Sequence, residues 1–317
     1  DSFAPREPSG RPGTEAIVHR PMRTMPPRNF KGSVVVITGA AGGIGRAIAQ
    51  RFSKAGACIV ALDVDAAGLE QTAGLLSPAA VLTQRCDITS LDDCELAARS
   101  ALERFGRVDV LVNNAGVVHR SAFRDTSVEV FRRVMEVNYF GSLQVTKALI
   151  EPLVASQGLV IVVSSVAGVA PLYGRSGYSA SKHALHGLFE SLRSELGGEG
   201  VDVLMVCPSF TRSAFEQRAF DGIGGRVTRG RSRVGVEASP DDVAGAIFDA
   251  ARRRRRLLVH TPVGKLAFVL SRVAKLSVER TTMAILPWLV PLFAALIAIT
   301  FIPAITLWLP QYIGMTK

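Results

Sequence analysis

From Ser33 onward the chain alternates short, near-continuous apolar runs with longer stretches of helical period. The apolar runs predict strands at Ser33–Thr38, Cys58–Leu62, Ala80–Cys86, Asp109–Val112, Gly158–Ser164 and Val201–Cys207. Helices are predicted between them, at about 43–55, 66–76, 90–105, 127–156 and 177–198. Strands that are apolar throughout need cover on both faces, and a helix between successive strands makes them parallel. With right-handed crossovers the expected fold is α/β, a doubly wound parallel sheet of the Rossmann type. Ser239-Pro240-Asp241-Asp242 starts a further helix: a capping hydroxyl, proline in the first turn, then acids. That helix runs out in Arg252–Arg256, where cations suit the C-terminal end of the dipole.

Three regions follow from this pattern. Residues 1–30 hold six prolines and little period, and read as a disordered arm. Residues 31–260 form the Rossmann-type domain, and residues 261–317 a basic, apolar tail. Residues 212–238, rich in Gly and Arg, fall after the sixth strand, where a segment without strong period would cover a substrate.

The run Thr38-Gly39-Ala40-Ala41-Gly42-Gly43-Ile44-Gly45 leaves a strand and enters a helix. Glycines there allow a tight turn and a close backbone approach, and the helix start offers free N–H groups to a pyrophosphate. Asp63 ends the second strand, where a carboxylate accepts bonds from ribose hydroxyls and repels a 2′-phosphate. Its neighbours Val64 and Asp65 bring no cation, so NAD is expected in preference to NADP. Asp87, past the third strand, is a candidate for the adenine edge. Asn113-Asn114-Ala115-Gly116 follows the fourth strand, where Asn side chains hold a loop near a cofactor.

Tyr178 and Lys182 lie one turn apart at the start of a predicted helix and share a face. A free phenol titrates near pH ~10, and a nearby cation brings it toward the working range. Ser165 closes the fifth strand, so its hydroxyl can hold a substrate oxygen beside the phenol. Asn138 sits inside the long 127–156 helix, where Asn is a poor helix former, and is a candidate for diverting a backbone bond and holding a relay water.

These motifs together resemble the short-chain dehydrogenase/reductase family. Its glycine motif matches Thr38 to Gly45, its NNAG motif Asn113 to Gly116, and its Asn-Ser-Tyr-Lys tetrad Asn138, Ser165, Tyr178 and Lys182. The resemblance covers about residues 31–250. It implies that Tyr178 is the acid/base, Ser165 orients the carbonyl, Lys182 binds the nicotinamide ribose and Asn138 holds the relay water. It also implies cofactor contacts from Thr38, Gly39, Gly43, Ile44, Gly45, Asp63, Asp87, Asn114, Ala115, Gly116, Tyr178, Lys182, Pro208 and Ser213. One departure stands out: Ser209 and Ser213 occupy the places of the family's Gly and Thr after the sixth strand. A homodimer through the long helices is a further implication.

Charge changes the picture of the tail. Residues 31–251 carry 22 Lys+Arg and 23 Asp+Glu, whereas residues 252–317 carry ten basic residues and one acid. No charged residue occurs from Thr281 to Thr316, and Trp288 and Trp308 bracket a stretch of 20 residues, about 30 Å as helix. Pro303 would kink a helix there, and three arrangements fit: a C-terminal spanning helix, a monotopic, re-entrant or interfacial insertion, and a buried oligomer contact. Cations upstream place the catalytic domain on the cytoplasmic side of a membrane. Leu266–Leu276 suits a helix lying on headgroups. The arginines lack interleaved aromatics on a neutral body, which speaks against nucleic acid. The four cysteines show no metal-ligand spacing and read as reduced core residues of a cytosolic domain.

The expected function is therefore an NAD(P)-dependent oxidoreductase that interconverts a secondary alcohol and a ketone on a lipophilic substrate, such as a steroid, retinoid-like or long-chain lipid. Its partners would be that substrate and membrane lipid. Two alternatives remain open: an NADPH-dependent reductase of a 3-keto lipid, and a cofactor-sensing membrane scaffold without turnover.

Overall fold

The computed structural model describes residues 26–76, 80–170, 172–212, 215, 218–227, 237–273, 287–289 and 291. Seven parallel strands form one sheet in the order β3-β2-β1-β4-β5-β6-β7. In chain order they are β1 (Val34–Thr38), β2 (Cys58–Asp63), β3 (Val81–Arg85), β4 (Val110–Asn113), β5 (Leu159–Val163), β6 (Asp202–Cys207) and β7 (Leu257–Val259). The helices are α1 (Gly43–Ser53), α2 (Ala66–Ala73), α3 (Leu91–Phe105), α4 (Val128–Met135), α5 (Ser142–Ala155), α6 (Ser176–Leu196), α7 (Pro240–Arg252) and α8 (Pro262–Val273).

Alternate strand residues enter opposite layers. Val35 and Ile37 of β1 pack with α1, α2 and α7, while Val34 and Val36 pack with α3, α5 and α6. Both layers are closed, which is why the central strands are buried throughout and show no polar alternation. Side-chain caps fix where the helices begin. Asp65, Ser90 and Ser127 accept from backbone N–H groups at the starts of α2, α3 and α4. Ser239 and Asp242 form a reciprocal capping box on α7.

The predicted fold class is the observed one, with three differences of detail. The 127–156 segment is not a single helix: a wider π turn, Glu136–Gly141, separates α4 from α5. Gly141 sits there against Ile88, and a Cβ on it would lie 2.6 Å from the Ile88 side chain. The seventh strand escaped the sequence pattern because it is three residues long and follows five arginines; it pairs Leu257 with Met205 on β6. Finally, residues 26–30 are packed rather than part of a free arm. Arg28 bonds Asp202 at 2.8 Å and the Gly158 carbonyl at 2.7 Å. The Phe30 ring meets Phe52 edge-on at 4.9 Å and Phe248 at a tilt at 5.4 Å.

Among the described residues no helix is long and apolar enough to cross a membrane. The Thr281–Thr316 stretch lies almost wholly outside them, as do residues 1–25 of the expected arm. The start of the tail is a part of the body: Ala267 of α8 is buried in one cluster with Val166 and Ala170.

Phe52 is fully buried between Phe30 and Phe248. Phe52→Ala is expected to lower unfolding free energy by about 3–5 kcal/mol, since the transfer and cavity costs add. Urea unfolding followed by circular dichroism measures this; a loss below about 1 kcal/mol would mean the aromatic trio does not join α1 to α7.

Candidate active site

The strand order reverses between β1 and β4, and a cavity of about 620 Å³ opens at the carboxyl ends of the strands there. One end of its wall is the glycine turn. Gly39, Gly42, Gly43 and Ile44 line it. α1 begins at an extended Gly42 with no side-chain cap, so its first N–H groups are left for a ligand. A Cβ at Gly42 would meet nothing within 4 Å: the space beside it is open. Uncapped donors facing an open cradle fit the pyrophosphate of a dinucleotide. Gly39 adopts φ +68°, and a Cβ there would lie 2.8 Å from Ala115 Cα. Only glycine satisfies both conditions.

Thr38 and Gly45 do not reach the cavity wall; their work is beneath it. The buried Thr38 hydroxyl donates to the Val112 carbonyl and accepts from the N–H groups of Asn114 and Ala115, at 3.0–3.2 Å. The Asn114 amide donates to the carbonyls of Thr38 and Gly39, at 2.9 and 3.1 Å. Gly45 lets α1 close on the Gly39 carbonyl, where any Cβ would collide. Ala115 and Gly116 line the cavity beyond this clasp, with Asn114.

Asp63 and Asp87 line the cavity on the same side as the glycine turn. The Asp63 carboxylate accepts from Ala41 N and Asp65 N, at 3.0 and 3.1 Å, which ties the end of β2 to the glycine turn. Asp87 accepts from the N–H and hydroxyl of Thr89. The sequence offered no cation beside Asp63, but the fold supplies one. Arg218, more than 150 positions later in the chain, lines the cavity and stands 3.9 Å from Asp65. Asp65 itself caps the start of α2.

Ser165, Tyr178 and Lys182 all line the same cavity. Ser165 follows β5, and its hydroxyl accepts from Ala167 N at 3.1 Å, starting the tight turn Val166–Gly168. Tyr178 and Lys182 project from the first turns of α6. The Lys182 Nζ lies 5.8 Å from the Tyr178 ring centre and donates to the Val163 carbonyl at 2.9 Å. Burial disfavours its charged form and lowers the ammonium to about 8. Phe215 meets the Tyr178 ring with centroids 6.2 Å apart. Pro208 lines the cavity, and its carbonyl accepts from Val166 N at 3.0 Å, so the loop after β6 is tied to the Ser165 turn despite Ser209. Ser213 lies outside the described residues.

Asn138 stands in the π turn and is fully buried. Its amide is committed to protein: Oδ1 accepts from Val117 N at 2.7 Å, and Nδ2 donates to Val117 O and to Ser181 Oγ, each at 2.9 Å. The Ser181 hydroxyl donates in turn to the Tyr178 carbonyl at 2.8 Å. The Asn138 side chain thus clamps the loop after Gly116 to the helix that carries the phenol.

Three contributors escaped the sequence. Thr211 lines the wall two positions before the hydroxyl expected there. Ser181 was hidden between Tyr178 and Lys182. His119, fully buried, accepts at Nε2 from Gly177 N at 2.9 Å, and its Nδ1 faces the Ser121 hydroxyl at 3.3 Å. Burial and then the charge of Arg175 hold it below the ordinary histidine range, which keeps that acceptor free of a proton. A His three residues past a loop motif carries no sequence signal for bonding a helix start 58 positions away.

A dinucleotide cradle at the point of strand reversal, with a tyrosine, a serine and a buried lysine on the facing wall, defines the class of nicotinamide-type oxidoreductases. Comparison with known proteins narrows it. The family described as short chain dehydrogenase matches residues 33–223. Dehydrogenase/reductase SDR family member 7B of Xenopus tropicalis is 35% identical over 255 residues, 77% of this chain and 82% of that protein. Member 7 of Homo sapiens is 36% identical over 197 residues, 60% of this chain and 58% of the human one. A short chain dehydrogenase/reductase from Burkholderia phymatum, solved in complex with NAD, is 27% identical with a TM-score of 0.69, covering 77% of this chain and 94% of that one. An alcohol dehydrogenase from the archaeon Thermococcus sibiricus, complexed with 5-hydroxy-NADP, is 27% identical with a TM-score of 0.63, covering 72% and 94%. The chain belongs to the short chain dehydrogenase family. A second family, the DctM component of tripartite ATP-independent periplasmic transporters, resembles residues 257–305. That stretch begins inside the catalytic sheet, at β7.

The lowered Lys182 has a consequence for stability. Below about pH 8 the folded protein carries a buried cation at full cost; between about 8 and 10.5 it releases the proton while an unfolded lysine keeps it. Raising the pH through that window therefore favours folding. Cys207, pushed up to about 12 by burial, acts in the opposite sense, so the comparison must be with a variant. In cofactor-free urea unfolding, the wild-type protein is expected to gain about 2–3 kcal/mol relative to Lys182→Gln between pH 7 and 10. Parallel pH profiles would contradict a desolvated ammonium.

Proposed function

We propose that this dehydrogenase interconverts a secondary alcohol and a ketone on a lipophilic substrate, with Tyr178 as the group that moves the proton. The observation that carries the reading is the shared wall: Ser165, Tyr178 and Lys182 face one cavity whose other end is the dinucleotide cradle. Bound in that cradle, a nicotinamide dinucleotide supplies the redox chemistry. The chain supplies the rest. The Ser165 hydroxyl donates to the substrate oxygen and fixes its distance from the phenol. Tyr178 gives a proton to that oxygen in reduction and takes it in oxidation. The Lys182 cation favours the phenolate form, and the Val163 carbonyl holds it in place. Asn138 and His119 position the helix start through Ser181 and Gly177.

Apolar side chains beside Tyr178 support a lipophilic substrate. Leu172, Val118, Phe210 and Phe215 line the cavity on that side. Large exposed apolar residues also rim the loops around it: Phe123, Tyr173 and Ile223 are all more than 70% exposed. Backbone bonds join those loops, Ser121 to Gly174 at 3.0 Å and Ser127 to Gly222 at 2.8 Å. With exposed Leu266 and Val269 on α8, they support contact with a lipid surface. Membrane association through the basic, apolar tail, with this domain on the cytoplasmic side, and a homodimer are parts of the same reading.

NAD is the proposed cofactor, because the Asp63 carboxylate stands where a 2′-phosphate would be repelled. A second reading, an NADPH-dependent ketone reductase, is favoured by one observation, Arg218 beside Asp65. The Burkholderia and Thermococcus neighbours, with NAD and an NADP derivative respectively, illustrate both choices.

Purified protein offered hydrophobic alcohols with NAD or NADP, and ketones with the reduced cofactors, should turn over; absence of turnover in every combination would remove the enzymatic reading. Tyr178→Phe should lower kcat by about 100-fold or more while binding of the reduced cofactor, followed by the enhancement of its own nicotinamide fluorescence, persists. Asp63→Ala should move the ratio of kcat/KM for NAD over NADP toward NADP. If the unaltered protein already favours NADP and Arg218→Gln removes that preference, the second reading holds.

A further inference from the structure

The cavity is divided by charge. The carboxylates that line it, Asp63 and Asp87, belong to the ends of β2 and β3. On the side of Tyr178 the described lining carries Arg133, Arg175 and Arg226 and no acid. These three come from separate elements: α4, the residue that precedes α6, and the segment after β6. Phe220 gathers two of them, Arg133 and Arg226. The Arg133 guanidinium lies 4.3 Å from its ring centre, and its backbone pairs with Arg226 on one side and His119 on the other. The charge of Arg175 is felt at His119, and Arg175 itself is buried although it faces the cavity.

Some surface arginines of this chain meet an acid. Arg132, next to Arg133 on α4, reaches Glu129 at 3.7 Å. Arg133 and Arg226 meet no carboxylate within salt-bridge distance among the described residues. Arg133 and Arg226, on one wall, repel each other, and an anion between them relieves that. The dinucleotide does not explain the arrangement, since its phosphates fall to the uncapped start of α1 at the Gly39–Ile44 wall.

We propose that this end of the cavity binds an oxyanion, a carboxylate or a phosphate, carried by an otherwise lipophilic substrate. The planar guanidinium fork accepts either group through paired N–H bonds. Arg133 and Arg226 grip the charged group at the mouth and Arg175 from within, while the apolar part lies along Leu172 and Phe215 beside Tyr178. The inference deepens the reading of Tyr178 as the proton-transferring group and rests on it for the placement of the reacting carbon.

The test uses the full chain and matched substrates: a long-chain keto acid against its methyl ester, and a long-chain keto-alkyl phosphate against the parent keto alcohol. An acid or phosphate member favoured by about tenfold or more in kcat/KM, chiefly through KM and weakening with added salt, is expected. Which pair shows the larger ratio distinguishes carboxylate from phosphate. In the double variant Arg133→Gln, Arg226→Gln the charged-over-neutral ratio should fall toward one, and Arg133→Lys should keep part of it. Equal kcat/KM within both pairs, or a ratio unchanged in the double variant, overturns the proposal. If nothing is turned over, the redox reading fails by itself and binding decides the anion site. Fluorescence of cis-parinaric acid should then report binding tighter than that of its methyl ester, with the difference lost in the double variant; no difference overturns the proposal.

Discussion

The site depends on a clasp at the point where the sheet reverses. Strands β1 and β4 lie side by side, yet the chain leaves them toward opposite faces, and a crevice must open between the departing loops. The Thr38 hydroxyl and the Asn114 amide hold that crevice to one width through five hydrogen bonds, all to backbone groups of the two loops. Each such bond contributes only about 1 kcal/mol net, but a buried donor or acceptor left without a partner costs more, so the set is hard to open one bond at a time. The glycine turn and the Ala115–Gly116 wall are placed by it.

A second set of bonds carries that placement to the chemistry. Val117 follows the clasp directly, and the Asn138 amide grips its backbone on both sides. Ser181 passes the constraint to the carbonyl of Tyr178, and His119 fixes the preceding residue of the same helix. The π turn is what allows Asn138 to reach: a regular helix over the same residues would give the side chain a different direction. The phenol is therefore positioned by groups that never touch a substrate. Lys182 is held from the other side by Val163 at the end of β5. Sheet and helix together thus set the separation between cofactor cradle and proton donor.

Charge is distributed by the same architecture. The carboxylates stand at the ends of β2 and β3, and the cleft arginines on α4, before α6 and after β6. The net excess of the chain resides in its last quarter, but the cations that bear on the cleft come from the body, whose net charge is near zero. Overall composition was a guide to the tail and a poor guide to the cavity.

The sequence alone determined the doubly wound sheet, the glycine turn and the tetrad positions. Each of these is written locally, as a run of apolar residues, a strand–turn–helix junction or an i, i+4 pair. Tertiary structure alone decided whatever joins residues far apart in the chain. Arg218 beside Asp65, His119 under Gly177, Arg28 on Asp202 and the arginines around Phe220 are brought together by strand order and loop closure, and local spacing carries no trace of them. It also decided the roles of Thr38, Gly45 and Asn138, which line no pocket or only support one. A motif records that a residue type is needed, while the direction of its side chain is set by the neighbours that the fold supplies.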